Sequence, residues 1–295
     1  MTTGTSSIRS IALPAILLVA LSGGVASQVK SLTFAARDSS VESSPTISVL
    51  PHEFSYRQDG EFYRNGFAVD APLLKVEGKG IPLTIMKYQV SEADYERCVE
   101  VRRCKPADRS VSARSNFPAT GMSFDDATAY AAWLSEATGE QWRLPTDREM
   151  AMAAGEKFPD DALGVDTDTT NPAIRWLADY DRETRRKPMD ARPQPAGSFG
   201  EAESGLADFA GNIWEWTSTC HRRVELGSNA GATKQDVACG VYVTVGRHRS
   251  PMSSFVREPK SGGCAVGTPP ANLGFRLVRD EPWLARLRRH LPDWI

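Results

Sequence analysis

Short apolar runs alternate with polar, glycine-containing turns between Phe54 and Gln89, as in the segments PLLKV and IPLTIMKYQV. Such alternation is typical of strands that are joined by hairpins. Beyond residue 90, the apolar positions recur at the spacing of helices. The sequence therefore predicts a strand-rich region that is followed by helices.

Three helices are predicted from apolar spacing together with residues that cap or stop a helix. The first runs through Tyr95 and Cys98, the second covers residues 124–137, and the third is two to three turns long. The capping and stop residues, in chain order, are Ser91 and Asp94; Ser123 and Gly139; and Thr146, Glu149 and Gly155.

Long loops are predicted where helical periodicity fades. Gly, Pro, Asn and Asp accumulate from Lys157 to Gly211 and again from Ser250 to Asn272. Loops of this length in a compact domain usually carry function, or are pinned by a metal or a disulfide.

The two ends of the chain differ in character from the middle. Residues 1–27 read as a secretory signal peptide, because Arg9 precedes an apolar run and small residues follow it. The apolar run has about a dozen residues, fewer than the roughly 20 that span a bilayer. We therefore expect a secreted or periplasmic protein that touches the membrane only if this segment stays uncleaved.

Three further segments follow the signal peptide. Residues 28–48 are rich in Ser and poor in aromatic residues, so they are interpreted as a flexible tether. Residues 49–280 form the folded domain. Residues 281–295 place Trp and Leu at near-helical spacing among arginines, which predicts an amphipathic segment that docks onto the domain.

Overall composition excludes few functions, but it gives no support for a nucleic-acid binder. The chain is 41% hydrophobic and carries 35 basic against 37 acidic residues, for a net charge of -2.

Five cysteines are available for disulfides if the protein is exported. Cys98 and Cys104 are expected to pair once the chain turns back after the first helix. Pairing of Cys220 with Cys239 is preferred for a second bridge, although Cys264 could replace either partner.

Four segments, in the same order, resemble the formylglycine-generating enzyme family, the sulfatase-modifying factors. They are KYQVSEADYERCV, PATGMSFDDATAYAAWLSEATGEQWRLPTDREMAMAA, GLADFAGNIWEWTS and NLGFRLVRD. The resemblance implies one compact α/β (α+β) unit of the C-type-lectin-like kind, with few regular elements and many long loops.

The resemblance also implies a structural calcium ion in the GNIWEW loop. Its ligands would be the side chains of Asp208 and Glu215 with the carbonyls of Gly211 and Ile213, since calcium takes carboxylate and carbonyl oxygens together. The alternative is that Glu215 pairs with an arginine such as Arg276.

Family enzymes oxidise a sulfatase cysteine with copper(I), which a pair of cysteines holds. The matching stretch of this chain, GRHRSPMSSFVREPKSGGCAVGTPPA, lacks that pair and contains only Cys264. Cys264 and His248 are the candidate catalytic residues that remain. Copper could bind His248 and Met252 if the fold brings them together.

A basic rim is the second interpretation of the same stretch. Arg247, Arg249 and Arg257 could recognise an acidic partner or a carboxylate of the substrate.

Three functions follow from these observations. The preferred one is an exported maturation factor that modifies or recognises another protein or peptide in the cell envelope. The second is a non-catalytic, calcium-stabilised binding module of lectin-like fold. True formylglycine generation is the third, and it would need two reduced thiols close together.

Overall fold

The computed structural model describes residues 44–107, 114–165, 171–185, 192–227, 232–258 and 272–281. Four α-helices in these ranges are α1 (Glu92–Glu100), α2 (Phe124–Thr138), α3 (Asp147–Ala154) and α4 (Pro172–Arg185). The strands β1 to β12 are, in order, Thr46–Val49, Phe54–Arg57, Glu61–Arg64, Phe67–Val69, Leu73–Val76, Leu83–Met86, Gln141–Arg143, Trp214–Leu226, Ala232–Val245, Arg249–Ser253, Leu273–Gly274 and Val278–Asp280.

These strands form three sheets. One has the order β1-β6-β12-β7, and a second has the order β10-β9-β8-β3-β4 with β11 added beside β8. A two-stranded sheet joins β2 and β5. The long antiparallel pair β8 and β9 is the centre of the second sheet, and the hairpin β3–β4 lies against β8 in parallel register.

The three helices predicted from their caps are present. Ser123 and Thr146 each make a full capping box, and Gly139 ends α2 in the left-handed conformation at φ 70°. Ser91 caps α1, but the carboxylate of Asp94 accepts hydrogen bonds from Ser44 and Arg97 instead of closing a box.

Two hydrophobic clusters hold the sheets and helices together. Trp216, Tyr130 and Phe275 are fully buried in the larger cluster, which lies against α1 and α2. Ile85 and Met150 belong to the second cluster, next to α3. Fully burying side chains of this size contributes about 1.5–3 kcal/mol each.

The structure differs from the sequence-based prediction in the stretch 157–211. Helix α4 lies inside this stretch. Its residues repeat at helical spacing, but charged side chains occupy the inward face and apolar side chains the exposed face. Arg175, Asp179 and Arg182 are turned toward the protein, while Trp176 and Tyr180 are about 60% exposed. The sequence criterion expected an apolar inner face, and so the helix was missed. Strand β10 likewise replaces the start of the second predicted loop.

The predicted tether is shorter than expected at its C-terminal end, since residues 46–48 belong to β1 and pair with β6. The predicted signal peptide, the rest of the predicted tether up to residue 43 and the predicted amphipathic segment from residue 282 lie outside the described residues. Within the described ranges, no helix has the length and apolar character needed to cross a membrane. The predicted mixed α+β architecture with few regular elements and long loops is confirmed.

Candidate functional site

Two disulfides fix loops around the second sheet. The structure pairs Cys98 with Cys104 just after α1, and Cys220 with Cys239 across the strands β8 and β9. These are the pairings that the sequence favoured. They use four of the five cysteines of the chain, and Cys264 lies outside the described residues.

The GNIWEW turn is held by hydrogen bonds within the protein. Both carboxylate oxygens of Asp208 accept backbone N–H groups, from Gly197 at 2.6 Å and from Phe199 at 2.8 Å. Gly211 lies directly under the ring of Phe199, and a Cβ there would meet the ring at 2.3 Å. The glycine of the motif is therefore required for close packing.

Glu215, the second predicted calcium ligand, is paired with Arg276. The guanidinium donates to both carboxylate oxygens, with Nε–Oε2 at 2.5 Å and Nη2–Oε1 at 2.8 Å. Gln89 donates a third hydrogen bond at 2.8 Å. The alternative left open by the sequence, an ion pair of Glu215 with Arg276, is thus present.

This donor set fits the ion pair better than a calcium ion. Arg276 already compensates the charge of Glu215, and backbone N–H groups bind both oxygens of Asp208. No cluster of three or more His, Cys, Asp or Glu side chains in the described part of the chain is arranged to hold a metal. Calcium binding at this loop stays a prediction.

A cavity of about 480 Å³ lies beside the second sheet, and we call it the hairpin cavity. Its walls are the hairpin β3–β4, residues 161–165, helix α4, His221 of β8 and residues 248–251. Ligand sites are usually concave and of about this volume, with a few polar or charged groups that orient the ligand.

Ionic contacts attach α4 and the loop 161–165 to the hairpin. Asp70 accepts hydrogen bonds from the backbone of Leu163 at 3.0 Å and of Gly164 at 2.9 Å, and from Arg175 at 2.8 Å. Burial alone would raise the pKa of Asp70, but these hydrogen bonds outweigh it and lower the pKa. The cavity wall is therefore built by residues distant in sequence.

The floor of the hairpin cavity contains a buried cation among carboxylates. Arg249 donates from Nε to Asp161 Oδ2 at 2.7 Å, and its Nη1 lies 3.5 Å from Asp147 Oδ2. Asp147 is buried, and its Oδ1 has no hydrogen-bond partner among the described residues. Burial, reinforced by the charge of Asp59, raises the pKa of Asp147 to about 7, although Arg249 opposes the shift.

A carboxylate–imidazole pair lies in the same wall. Nδ1 of His221 is 3.1 Å from Oδ2 of Asp59, and the Asp59 side chain is only 8% exposed. The hydrogen bond to Asp59 raises the pKa of His221 above its usual value. Perturbed titratable groups in a cleft are a recognised sign of a functional site.

His248 was predicted from the sequence, and it also lines the hairpin cavity. Its ring packs edge to face on Trp214 with centroids 5.3 Å apart, and its carbonyl accepts a hydrogen bond from the indole N–H. The GNIWEW motif therefore supports one wall of the cavity through Trp214.

The three arginines of the predicted basic rim do not share one surface. Arg249 is buried in the cavity floor. Arg257 donates to Asp126 at 2.7 Å, at the start of α2, and Arg247 is half-buried before β10. Only Arg249 belongs to the hairpin cavity, where its charge is matched by carboxylates.

Sequence reasoning missed Asp59, Asp147 and His221. His221 follows Cys220 directly, and Asp147 stands in a capping box whose local role explained it. Asp59 precedes Gly60 in a turn, which reads as an ordinary loop acid. Nothing in their spacing showed that the fold brings them together.

The sequence of this chain is similar to those of known proteins over most of the described residues. Sulfatase-modifying factor enzyme 1-like domains match residues 33–281 of the chain. The formylglycine-generating enzyme of Streptomyces coelicolor is 31% identical over 193 residues, which are 61% of this chain and 58% of that protein. The enzyme of the same name from Mycobacterium tuberculosis is 27% identical over 194 residues, or 59% and 60% of the two chains.

A Bos taurus relative, named inactive C-alpha-formylglycine-generating enzyme 2, is 25% identical over 176 residues, covering 57% of this chain and 52% of that protein. The chain thus matches little more than half the length of these relatives. Among solved structures, PvdO from Pseudomonas aeruginosa has a TM-score of 0.47 at 20% identity, over 78% of this chain and 92% of PvdO. On the match over residues 33–281, this chain belongs to the FGE-sulfatase family, whose members carry a sulfatase-modifying factor enzyme 1-like domain.

Proposed function

We propose that this protein is an exported maturation factor that receives a segment of another protein or peptide in the hairpin cavity, where it modifies or recognises that segment. The observation that carries the proposal is the cavity itself, with two histidines in its wall and one buried arginine, paired with two carboxylates, at its floor. Family membership supports a role of this kind.

The mouth of the cavity suits a polypeptide. Phe67 and Trp176 line it and keep much of their surface exposed, at 39% and 61%. Aromatic side chains bury a large area on contact, which suits apolar or aromatic residues of a bound chain. Export is supported by the two disulfides, because such bridges persist in oxidising compartments.

Formylglycine generation by two cysteines does not suit this chain. Four of its five cysteines are used by the two bridges, so a site of two thiolates needs one of the bridges to open. A single remaining thiol, Cys264, lacks the partner that a two-sulfur copper site requires.

Recognition without chemistry is the second candidate. It is favoured because four of the five cysteines form disulfides and are therefore not available as thiols. It is also favoured by relatives from Bos taurus and Mus musculus whose names describe them as inactive. In that case the cavity would bind the segment and leave its mass unchanged.

Affinity selection tests the proposal. The full chain with intact disulfides is mixed with a pool of random synthetic octapeptides, and retained peptides are identified by mass spectrometry after gel filtration. Ala162→Trp fills the cavity without removing a polar side chain, since Ala162 lines it and bonds only through its backbone. Ala132→Trp, on an exposed position of α2, is the matched control.

The wild type and the control should retain the same peptides, and Ala162→Trp should lose them. No retained peptide, or equal retention by all three proteins, would contradict the proposal. A mass change in the retained peptides assigns modification, and unchanged masses assign recognition.

A further inference from the structure

We infer that His221, held by Asp59, is the proton acceptor of the hairpin cavity and takes a proton from a hydroxyl, thiol or amine group of the bound polypeptide. The inference rests on the proposed function, because it requires that a polypeptide enters the cavity. It adds a chemical class of substrate group and a residue in a defined role.

The hydrogen bond fixes the state of the imidazole. An ionised carboxylate only accepts hydrogen bonds, so Nδ1 of His221 carries the hydrogen that lies 3.1 Å from Asp59 Oδ2. The lone pair of the neutral ring is then on Nε2, to which no described residue donates. A histidine held in this way by a buried carboxylate is oriented to accept a proton.

The turn before β3 is shaped to bring Asp59 to His221. Gly60 has φ +136°, and a Cβ there would lie 2.5 Å from Cγ and 2.8 Å from the carbonyl oxygen of Arg222. Only glycine allows the turn to approach β8 this closely. The contact between Asp59 and His221 therefore depends on the glycine at position 60.

Some of the groups around His221 raise its pKa and others lower it. Asp59 and Glu61 favour the imidazolium, while burial and Arg222 oppose it, and the net effect raises the pKa of His221. Asp147 and Arg249 form a neighbouring ion pair, and the charge of Asp59 acts on both of them. After proton transfer, the imidazolium is stabilised by the carboxylate that positioned it.

The proposed step is a simple proton transfer. The X–H bond of the substrate group breaks, its electron pair stays on the oxygen, sulfur or nitrogen, and the N–H bond forms at Nε2. Nothing is oxidised or reduced. Since Phe67 and Trp176 border the cavity, residues that flank the reacting group should be apolar or aromatic.

Diethyl pyrocarbonate tests the inference without any peptide, because it reacts with the unprotonated imidazole. The rate of modification at His221 is followed against pH by peptide mapping in the wild type, Asp59→Asn and Ala162→Trp. The exposed His52 serves as an internal control in every sample. Circular dichroism checks that each variant is folded.

We expect His221 to react in the wild type, and its pH midpoint to fall in Asp59→Asn because the favourable charge is lost. In Ala162→Trp the rate at His221 should drop while the rate at His52 stays the same. The drop in Ala162→Trp is the readout that a structural pair closed to the cavity would not give, because it requires that reagent reach the imidazole through the cavity.

Lack of reaction at His221, an unchanged midpoint in Asp59→Asn, or an unchanged rate in Ala162→Trp would overturn the inference. These failures are separate from failure of the proposed function. If peptides bind but His221 fails this test, only the inference is wrong. If His221 passes and no peptide binds, the proposed function is wrong.

Discussion

Arg276 and Glu215 form a bidentate ion pair in which both side chains are completely buried, with side-chain exposures of 0% and 1%. The same guanidinium donates to the carbonyls of Lys87 at 2.7 Å and Ala207 at 2.9 Å. The pair therefore ties the GNIWEW strand, the end of β6 and the NLGFR segment to one another. Through Trp214 it also supports the wall of the hairpin cavity.

Removal of this arginine should destabilise the protein strongly. Arg276→Met leaves Glu215 charged and buried without a partner, which typically costs about 3–5 kcal/mol. Urea unfolding measures the change. Arg279→Ala is the matched control, because Arg279 pairs with Glu140 at a position where both are about a third exposed, and such pairs contribute about 0–1 kcal/mol. Equal losses in the two variants would show that burial of the Glu215 pair does not matter.

Chelation of divalent ions should change thermal stability little. Both carboxylates of the predicted calcium site are already satisfied by protein donors, so removing calcium leaves no unpaired charge behind. Melting temperatures in excess chelator and in excess calcium chloride give the comparison. A clear rise of the melting temperature in calcium would instead support the calcium site that the family resemblance implies.

Asp147 should make stability fall as pH rises. Its pKa is about 7 in the folded protein against 3.8 for an ordinary aspartate, so between these values the folded state keeps a proton that the unfolded state has released. The free energy of unfolding therefore decreases with pH in this window, by a few kcal/mol at roughly 1.4 kcal/mol per pKa unit. Urea unfolding at several pH values measures the slope.

Asp147→Asn should flatten that slope between about pH 5 and pH 7, whereas Asp125→Asn, at an exposed carboxylate of α2, should keep it. His221 adds a decrease of the same sign at higher pH, because its pKa is also raised and its contribution is lost as pH rises through that value. A wild-type slope that Asp147→Asn leaves unchanged would mean that Asp147 does not titrate in this range.

Alkylation before and after reduction should count the cysteines in bridges. With Cys98–Cys104 and Cys220–Cys239 intact, the denatured protein should label at one cysteine without reductant and at five with it. Intact mass and peptide mapping provide the counts. Labelling of three or more cysteines without reductant would make a two-thiol copper site available and would revive formylglycine generation.

Local signals predicted much of the fold from the sequence. The caps Ser123 and Thr146 act within one turn of their helices, and strands are present between residues 54 and 86 where the sequence predicts them. Helix α4 was not predicted because its inward face is charged and its apolar side chains are exposed. Predictions from hydrophobic spacing depend on the opposite pattern, an apolar inward face. The hydrogen bonds of Arg175 to Asp70 and of Arg182 to the carbonyl of Asp161 stabilise the helix in this orientation.

The candidate site was predictable only in part. His248 and Arg249 were found because a family resemblance directed attention to their stretch of the chain. Asp59 and His221 are 162 positions apart, and only the parallel pairing of β3 with β8 brings them together. Long-range register of this kind leaves no trace in local spacing.

Hydrogen exchange of the full chain, with and without the peptides retained in affinity selection, tests most directly whether the hairpin cavity receives a polypeptide. Bound peptide should slow exchange at the amides of Phe67–Val69 and of residues 161–165 in the wild type, and should have no such effect in Ala162→Trp. Protection confined to the groove between Leu74 and Lys79, with none at the hairpin cavity, would contradict this prediction.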